Sequence, residues 1–101
     1  MHTTIVMFIV AQYELVAEKQ KCTGDGAPKG ILATVEECGV QCTNVASMFG
    51  YGRSGSSVCN SNGCLCYCML SASADGICTQ ESTGSSTFFN LYKFIKKGKT
   101  L

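Results

Sequence analysis

The chain has no tryptophan, one histidine and one proline among its 101 residues, and only 15% of it is charged. Each scarcity removes a class of function. With His2 as the lone imidazole, a serine- or cysteine-nucleophile arrangement has a single possible base, at position 2. Structural zinc sites draw on histidine or on paired CxxC units, and neither supply is adequate here. Eight basic and seven acidic residues leave a formal charge of +1, so no global field draws in nucleic acid, an anionic membrane or an acidic substrate. Apolar runs are short: Ile5 to Ala11 falls far below the length that spans a bilayer, and no transmembrane segment is expected. Asn44, Asn60, Asn62 and Asn90 all lack the third residue of an N-glycosylation sequon.

Cysteine is what the chain has in excess. Eight of them, Cys22, Cys38, Cys42, Cys59, Cys64, Cys66, Cys68 and Cys78, form an even set in a chain whose core alone is marginal at this size. Such a count fits a disulfide scaffold in an oxidising compartment, so a secreted or extracellular location is expected. An apolar content of 46% is too high for a disordered chain. Residues 12–101 read as a single stapled domain with a basic carboxy-terminal tail, and residues 1–11 as a signal remnant or an apolar extension.

Tyr13 to Glu18 alternates as a strand, with Tyr13, Leu15 and Ala17 on one face and Glu14, Val16 and Glu18 on the other. Gly24, Gly26, Pro28 and Gly30 punctuate a loop. At Thr34-Val35-Glu36-Glu37 a reciprocal capping box starts a helix: the Thr34 side chain accepts from the first turn, and Glu37 reaches back to the Thr34 amide. Val35, Cys38, Cys42 and Val45 then make one inward stripe over about eleven residues. Met48 to Tyr51 follows as a brief strand with Phe49 and Tyr51 on one face. Asn60-Ser61-Asn62-Gly63 reads as a hairpin turn. Cys64 to Leu70 is a central strand with three cysteines on one face and Leu65, Tyr67 and Met69 on the other. Thr79 to Thr87 is a polar loop, and Thr87 to Ile95 a last strand. That strand places Phe89, Leu91 and Ile95 opposite Phe88, Tyr92 and Phe94. If the first and last strands are antiparallel neighbours, the late lysines lie beside Glu14 and Glu18.

Residues four apart on a helix and two apart on a strand are both separated by about 6 Å, so a helix crossing the sheet can present Cys38 and Cys42 to two members of the Cys64, Cys66, Cys68 row. The third member of the row pairs among Cys22, Cys59 and Cys78, with a choice that sequence leaves open. The capped helix with Cys38-x-x-x-Cys42, the Phe49-Gly50-Tyr51 strand, the Cys64 to Cys68 strand and the final Leu91-Tyr92-Lys93 resemble the PAN/apple family of extracellular modules. The resemblance covers about Tyr13 to Phe94. It implies an α+β fold, a curled antiparallel sheet crossed by one short helix and held to it by disulfides. It also implies binding of a protein or a glycan without a common catalytic centre. The chain lacks that family's additional cysteine before the Phe-x-Tyr strand, and it carries three cysteines in a strand that usually has one.

Other constellations have plainer explanations. The cysteine row is more simply a stapled strand than a thiolate cluster. Lys97-Gly98-Lys99-Thr100 lacks the upstream glycines of a phosphate loop. Glu36 and Glu37 point about 100 degrees apart on a helix and cannot face each other across a sugar ring. No catalytic residue, metal site or cofactor is therefore expected. Recognition surfaces remain, and Tyr51, Arg53, Tyr67 and Tyr92 are the candidate ligand-binding residues because tyrosine and arginine dominate interface hot spots. The loop from Gly50 to Ser57 is the candidate contact surface. The expected function is an extracellular recognition or adhesion module for a protein or glycan. Two alternatives are a small secreted cationic effector, supported by the lysine tail, and a cross-linked component of an extracellular matrix.

Overall fold

The computed structural model describes residues 12–95. His2, the Ile5–Ala11 run and the basic tail with Lys97-Gly98-Lys99-Thr100 lie outside the described residues.

Eight strands and one helix follow in the order β1 (Tyr13–Glu18), β2 (Lys21–Cys22), β3 (Ala27–Leu32), α1 (Val35–Cys42), β4 (Met48–Gly52), β5 (Cys59–Asn60), β6 (Gly63–Cys68), β7 (Gln80–Glu81) and β8 (Phe89–Phe94). The main sheet runs β1-β8-β4-β6-β3, with β5 also on β6, while β2 and β7 form a separate pair. All pairings are antiparallel. The first and last described strands are neighbours, and Glu14 lies opposite Lys93 in an ion pair of 3.4 Å. Glu18 instead faces Asn90. Both partners of the ion pair are substantially exposed, so it biases register more than it stabilises.

All eight cysteines are paired. Cys38 bonds to Cys66 and Cys42 to Cys68, which bolts α1 onto β6 through alternate strand positions. Cys64 pairs with Cys59 and Cys22 with Cys78. The helix side of the sheet gathers its core around Cys38, Cys42, Cys66, Cys68 and Phe49. The Phe49 ring meets those of Tyr13 at 5.3 Å, Tyr92 at 5.1 Å and Phe94 at 5.1 Å. Each such contact adds about 0.5–1.5 kcal/mol beyond area burial. The opposite side buries Cys22, Met48, Met69 and Leu91. Gly50 leaves room there: a Cβ on it would lie 2.5 Å from Met69 Cε. Both faces of the sheet are thus covered, which is why β6 is apolar on each side.

Five local expectations are corrected. The expected loop holds only as far as Gly26. From Ala27 the chain is an edge strand, β3, that passes through Pro28 with a register shift between Pro28 and Gly30; an edge strand tolerates a proline because it uses only half of its amides. The helix ends at Cys42. Thr43 and Asn44 are poor helix formers, the Cys42 carbonyl accepts from both Val45 and Ala46, and Val45 turns outward, 47% exposed. In the capping box, Thr34 Oγ1 accepts from Glu37 N as expected, but Glu37 Oε2 takes the Ala33 amide. β3 ends at Leu32 and leaves that amide without a ladder partner. A register shift between Leu15 and Ala17 breaks the alternation of β1 and leaves Leu15 half exposed. Finally, Thr87 and Phe88 belong to a 3₁₀ turn, Gly84–Phe88, ahead of β8, and the short strand β7 interrupts the polar loop before it.

Candidate functional site

The disulfide Cys42–Cys68 does more than hold the helix. Immediately after Cys42 the chain runs through Thr43–Ser47, and immediately after Cys68 it runs through Met69 to Ala74. These two stretches form the walls of an open concavity of about 400 Å³, with Leu70, Ala72 and Ala74 facing Thr43, Asn44 and Val45. One covalent bond therefore fixes the start of both walls. The walls are also tied to each other: Met69 N donates to Met48 O at 2.9 Å, and the Ser47 hydroxyl donates to the Ser73 carbonyl. Within the second wall, Ser73 N donates to Ile77 O at 2.8 Å, and Gly76 N to Ser73 O at 2.9 Å. Val45 and Leu70, each 47% exposed, stand on opposite walls. The result is a preorganised, mixed surface of aliphatic and small polar groups, too open to enclose a small molecule.

The four residues singled out from sequence are spread over the molecule. Tyr51 donates its hydroxyl proton to Leu32 O at 2.7 Å and accepts from Cys64 N at 3.2 Å. It thereby ties β4, β6 and the end of β3 together. Arg53 donates from Nη1 to Thr87 O at 2.8 Å, which anchors the loop after β4 to the 3₁₀ turn. Tyr92 stacks on Phe49 and meets Tyr13 edge-on, and Tyr13 and Phe49 also touch, so the three rings form one cluster. Tyr67 is on the other side of the sheet, edge-on to Phe89, with Lys21 Nζ 5.0 Å from its ring centroid. The aromatic rings are thus largely engaged within the protein.

Two side-chain pairs join separate elements of the fold. Ser86 donates to the Glu81 carboxylate, and Tyr13 donates to Glu36. The sulfurs of Cys38, Cys42 and Cys66 converge within 4.8 Å, because the two helix disulfides lie side by side, with Cys42 Sγ 3.9 Å from Cys66 Sγ. Each is already committed to an S–S bond and is not a thiolate ligand.

Burial, the Glu36 hydrogen bond and the Glu36 charge push the Tyr13 phenol far above its ordinary value. Burial also raises Tyr51, with the Glu37 and Glu36 charges adding to it and the Cys64 amide opposing it. A tyrosine whose pKa is higher in the folded state keeps its proton where the unfolded chain has lost it, so its stabilisation is complete below the unfolded value of 10.0 and is lost as pH rises through the folded value. The urea midpoint is therefore expected to hold steady from about pH 8 to 9.5 and to fall above about pH 10. Tyr13→Phe should flatten that decline. An equally steep decline in the variant would contradict the role given to Tyr13.

Compared with known proteins, the chain matches no family model, no curated protein and no solved structure. What stands is a small α+β domain: an antiparallel sheet packed with one short helix and stapled by four disulfides.

Proposed function

We propose that the chain is a non-catalytic recognition module of an oxidising, extracellular compartment, and that it binds a protein through the concavity between Thr43–Ser47 and Leu70–Ala74. The observation that carries this reading is the shared anchor: both walls spring from the two ends of Cys42–Cys68, so the surface is held in shape before a partner arrives, which lowers the ordering cost of binding. Recognition on loops of a rigid scaffold is common. Two exposed aliphatic side chains beside an amide and hydroxyls suit the centre and rim of a modest protein contact.

A protein is favoured over a glycan because the flat ring faces are already used. Tyr92 stacks on Phe49, Tyr13 and Tyr51 are hydrogen-bonded inside the chain, and Lys21 sits over Tyr67. The resemblance to PAN/apple modules, carried by the helix cysteines, Phe49-Gly50-Tyr51 and the cysteine-bearing strand, supports recognition without catalysis and fits either kind of ligand. The four disulfides support the oxidising compartment. Among the described residues no helix is long and apolar enough to cross a membrane.

The test is a binding screen of the folded, oxidised protein against extracellular proteins and a glycan array at physiological salt. Saturable binding to a protein is expected, weakened at least tenfold by Val45→Glu or Leu70→Glu with the thermal midpoint unchanged, since both side chains are exposed. Protein binding indifferent to both substitutions, or binding to glycans alone, would overturn the assignment. Lysis of anionic but not neutral vesicles would favour the effector reading instead.

A further inference from the structure

The four disulfides differ in what depends on them. Cys38, Cys42, Cys66 and Cys68 are fully buried beneath the helix, out of reach of an external thiol while the domain is folded. Only Cys59 and Cys78 are half-buried rather than buried. Cys78 closes a span of 56 residues to Cys22 and helps hold the Met69–Ala72 stretch over the second face of the sheet. Cys59 and Cys64, by contrast, are only five positions apart and face each other directly across β5 and β6, with Cα atoms 4.0 Å apart.

That hairpin is held by bonds other than sulfur. Asn60 pairs with Gly63, Asn60 Oδ1 accepts from Asn62 N at 2.7 Å, and Leu65 N donates to Val58 O at 2.9 Å. Cys64 N is fixed separately by the Tyr51 hydroxyl. Opening the S–S bond leaves every one of these in place. Cys59 Sγ also sits in the loop after β4, 3.0 Å from the Arg53 carbonyl oxygen and 3.6 Å from the Ser56 hydroxyl. The flanking Ser54, Gly55, Ser57, Asn60, Ser61 and Asn62 are exposed.

We propose that Cys59–Cys64 is a thiol-exchange site, opened in the folded domain by attack on Cys59. A thiolate bonds to Cys59 Sγ as the Cys59–Cys64 bond breaks. The bonding pair leaves on Cys64 Sγ, which takes a proton from water, and a mixed disulfide remains on Cys59. A second thiol attacking that mixed disulfide releases the dithiol form of the domain and an oxidised thiol pair, so the two electrons come from the thiol reagent. Attack falls on Cys59 because Cys64 is only 8% exposed and because access governs which sulfur exchanges. The co-reactant is a thiol, either a small one or a cysteine on a partner protein.

The oxidised protein is treated with millimolar reduced glutathione, quenched with iodoacetamide over time and mapped by peptide mass; a second arm uses a folded protein bearing one exposed thiol. Cys59 and Cys64 are expected to react at least tenfold faster than any other pair. Glutathione should be trapped on Cys59, and the amide-exchange protection of the helix and inner strands should not change. Reaction with glutathione alone assigns the site to small thiols, and reaction in both arms admits protein partners. Earlier opening of Cys22–Cys78, concerted opening of all four bonds, or glutathione on Cys64 would overturn the proposal. The paired variant Cys59→Ser, Cys64→Ser should fold and lose the fast phase; failure to fold, or a persisting fast phase, would also overturn it.

Discussion

Replacing Cys38 and Cys66 together by alanine is expected to lower stability by about 2.5 kcal/mol, the chain-entropy value for the ring of about eight residues that this bond closes while Cys42–Cys68 stays in place. The thermal midpoint would fall by about 10–20 °C. The true cost should lie at or above that figure, because both sulfurs are fully buried and Cys66 Sγ lies 3.9 Å from Cys42 Sγ; truncation leaves a void in the middle of the helix-side core. The helix itself is eight residues long and would be marginal without its anchors. The comparison that isolates this effect is Cys59→Ala, Cys64→Ala, whose five-residue span predicts about 2 kcal/mol. Thermal and urea unfolding of the two double variants provide the measurement. Equal losses would show that the helix bolt carries no more than a local hairpin staple.

Gly63→Ala should be the most damaging single substitution outside the cysteines. Gly63 has φ of +130°, and a Cβ placed on it would stand 1.9 Å from the Leu32 carbonyl oxygen and 2.5 Å from its carbon. These are backbone atoms at the end of β3 and cannot rotate aside. Either β3 must part from β6 or the hairpin must shift, and both routes disturb Tyr51, whose hydroxyl joins Leu32 to Cys64. Strain at the dihedral together with the overlap predicts a loss of about 3–5 kcal/mol. Gly55→Ala is the control: its φ is +86° but nothing lies within 4 Å of the added carbon, so only the left-handed penalty of about 1–2 kcal/mol applies. Similar midpoints for the two variants would contradict the close approach of β3.

Gly63 also shows where local reading of sequence reaches its limit. The turn expected over Asn60-Ser61-Asn62-Gly63 is present, with Ser61 and Asn62 at its centre, and Gly63 is also a strand residue paired with Asn60. Its glycine is required by a neighbour 31 positions earlier, which no local pattern announces. The helix cysteines were legible for the opposite reason. Their spacing of four and the strand spacing of two are both intrinsic to the elements that carry them, so they match whatever the rest of the chain does. Glu14 against Lys93 was legible from charge and strand order. Ala27 to Gly30 reads as a loop and is a strand, because proline and glycine mark loops in general, while their tolerance at a sheet edge depends on which strands flank them. The concavity was not legible at all. Val45 and Leu70 line one concavity because Cys42 chose Cys68, one of the seven partners open to it among eight cysteines.

Gln12 and Ile95 lie side by side, joined by a bond of 3.0 Å from Ile95 N to Gln12 O. Tension applied at these two points would load β1 and β8 as a zipper, parting one rung at a time rather than shearing all rungs at once. Unravelling would then stop at Cys22–Cys78, because force passes through that covalent link and bypasses everything between. The tether paid out is limited to roughly 90–100 Å of extended chain, and the helix, the inner strands and the concavity behind the link stay unstretched.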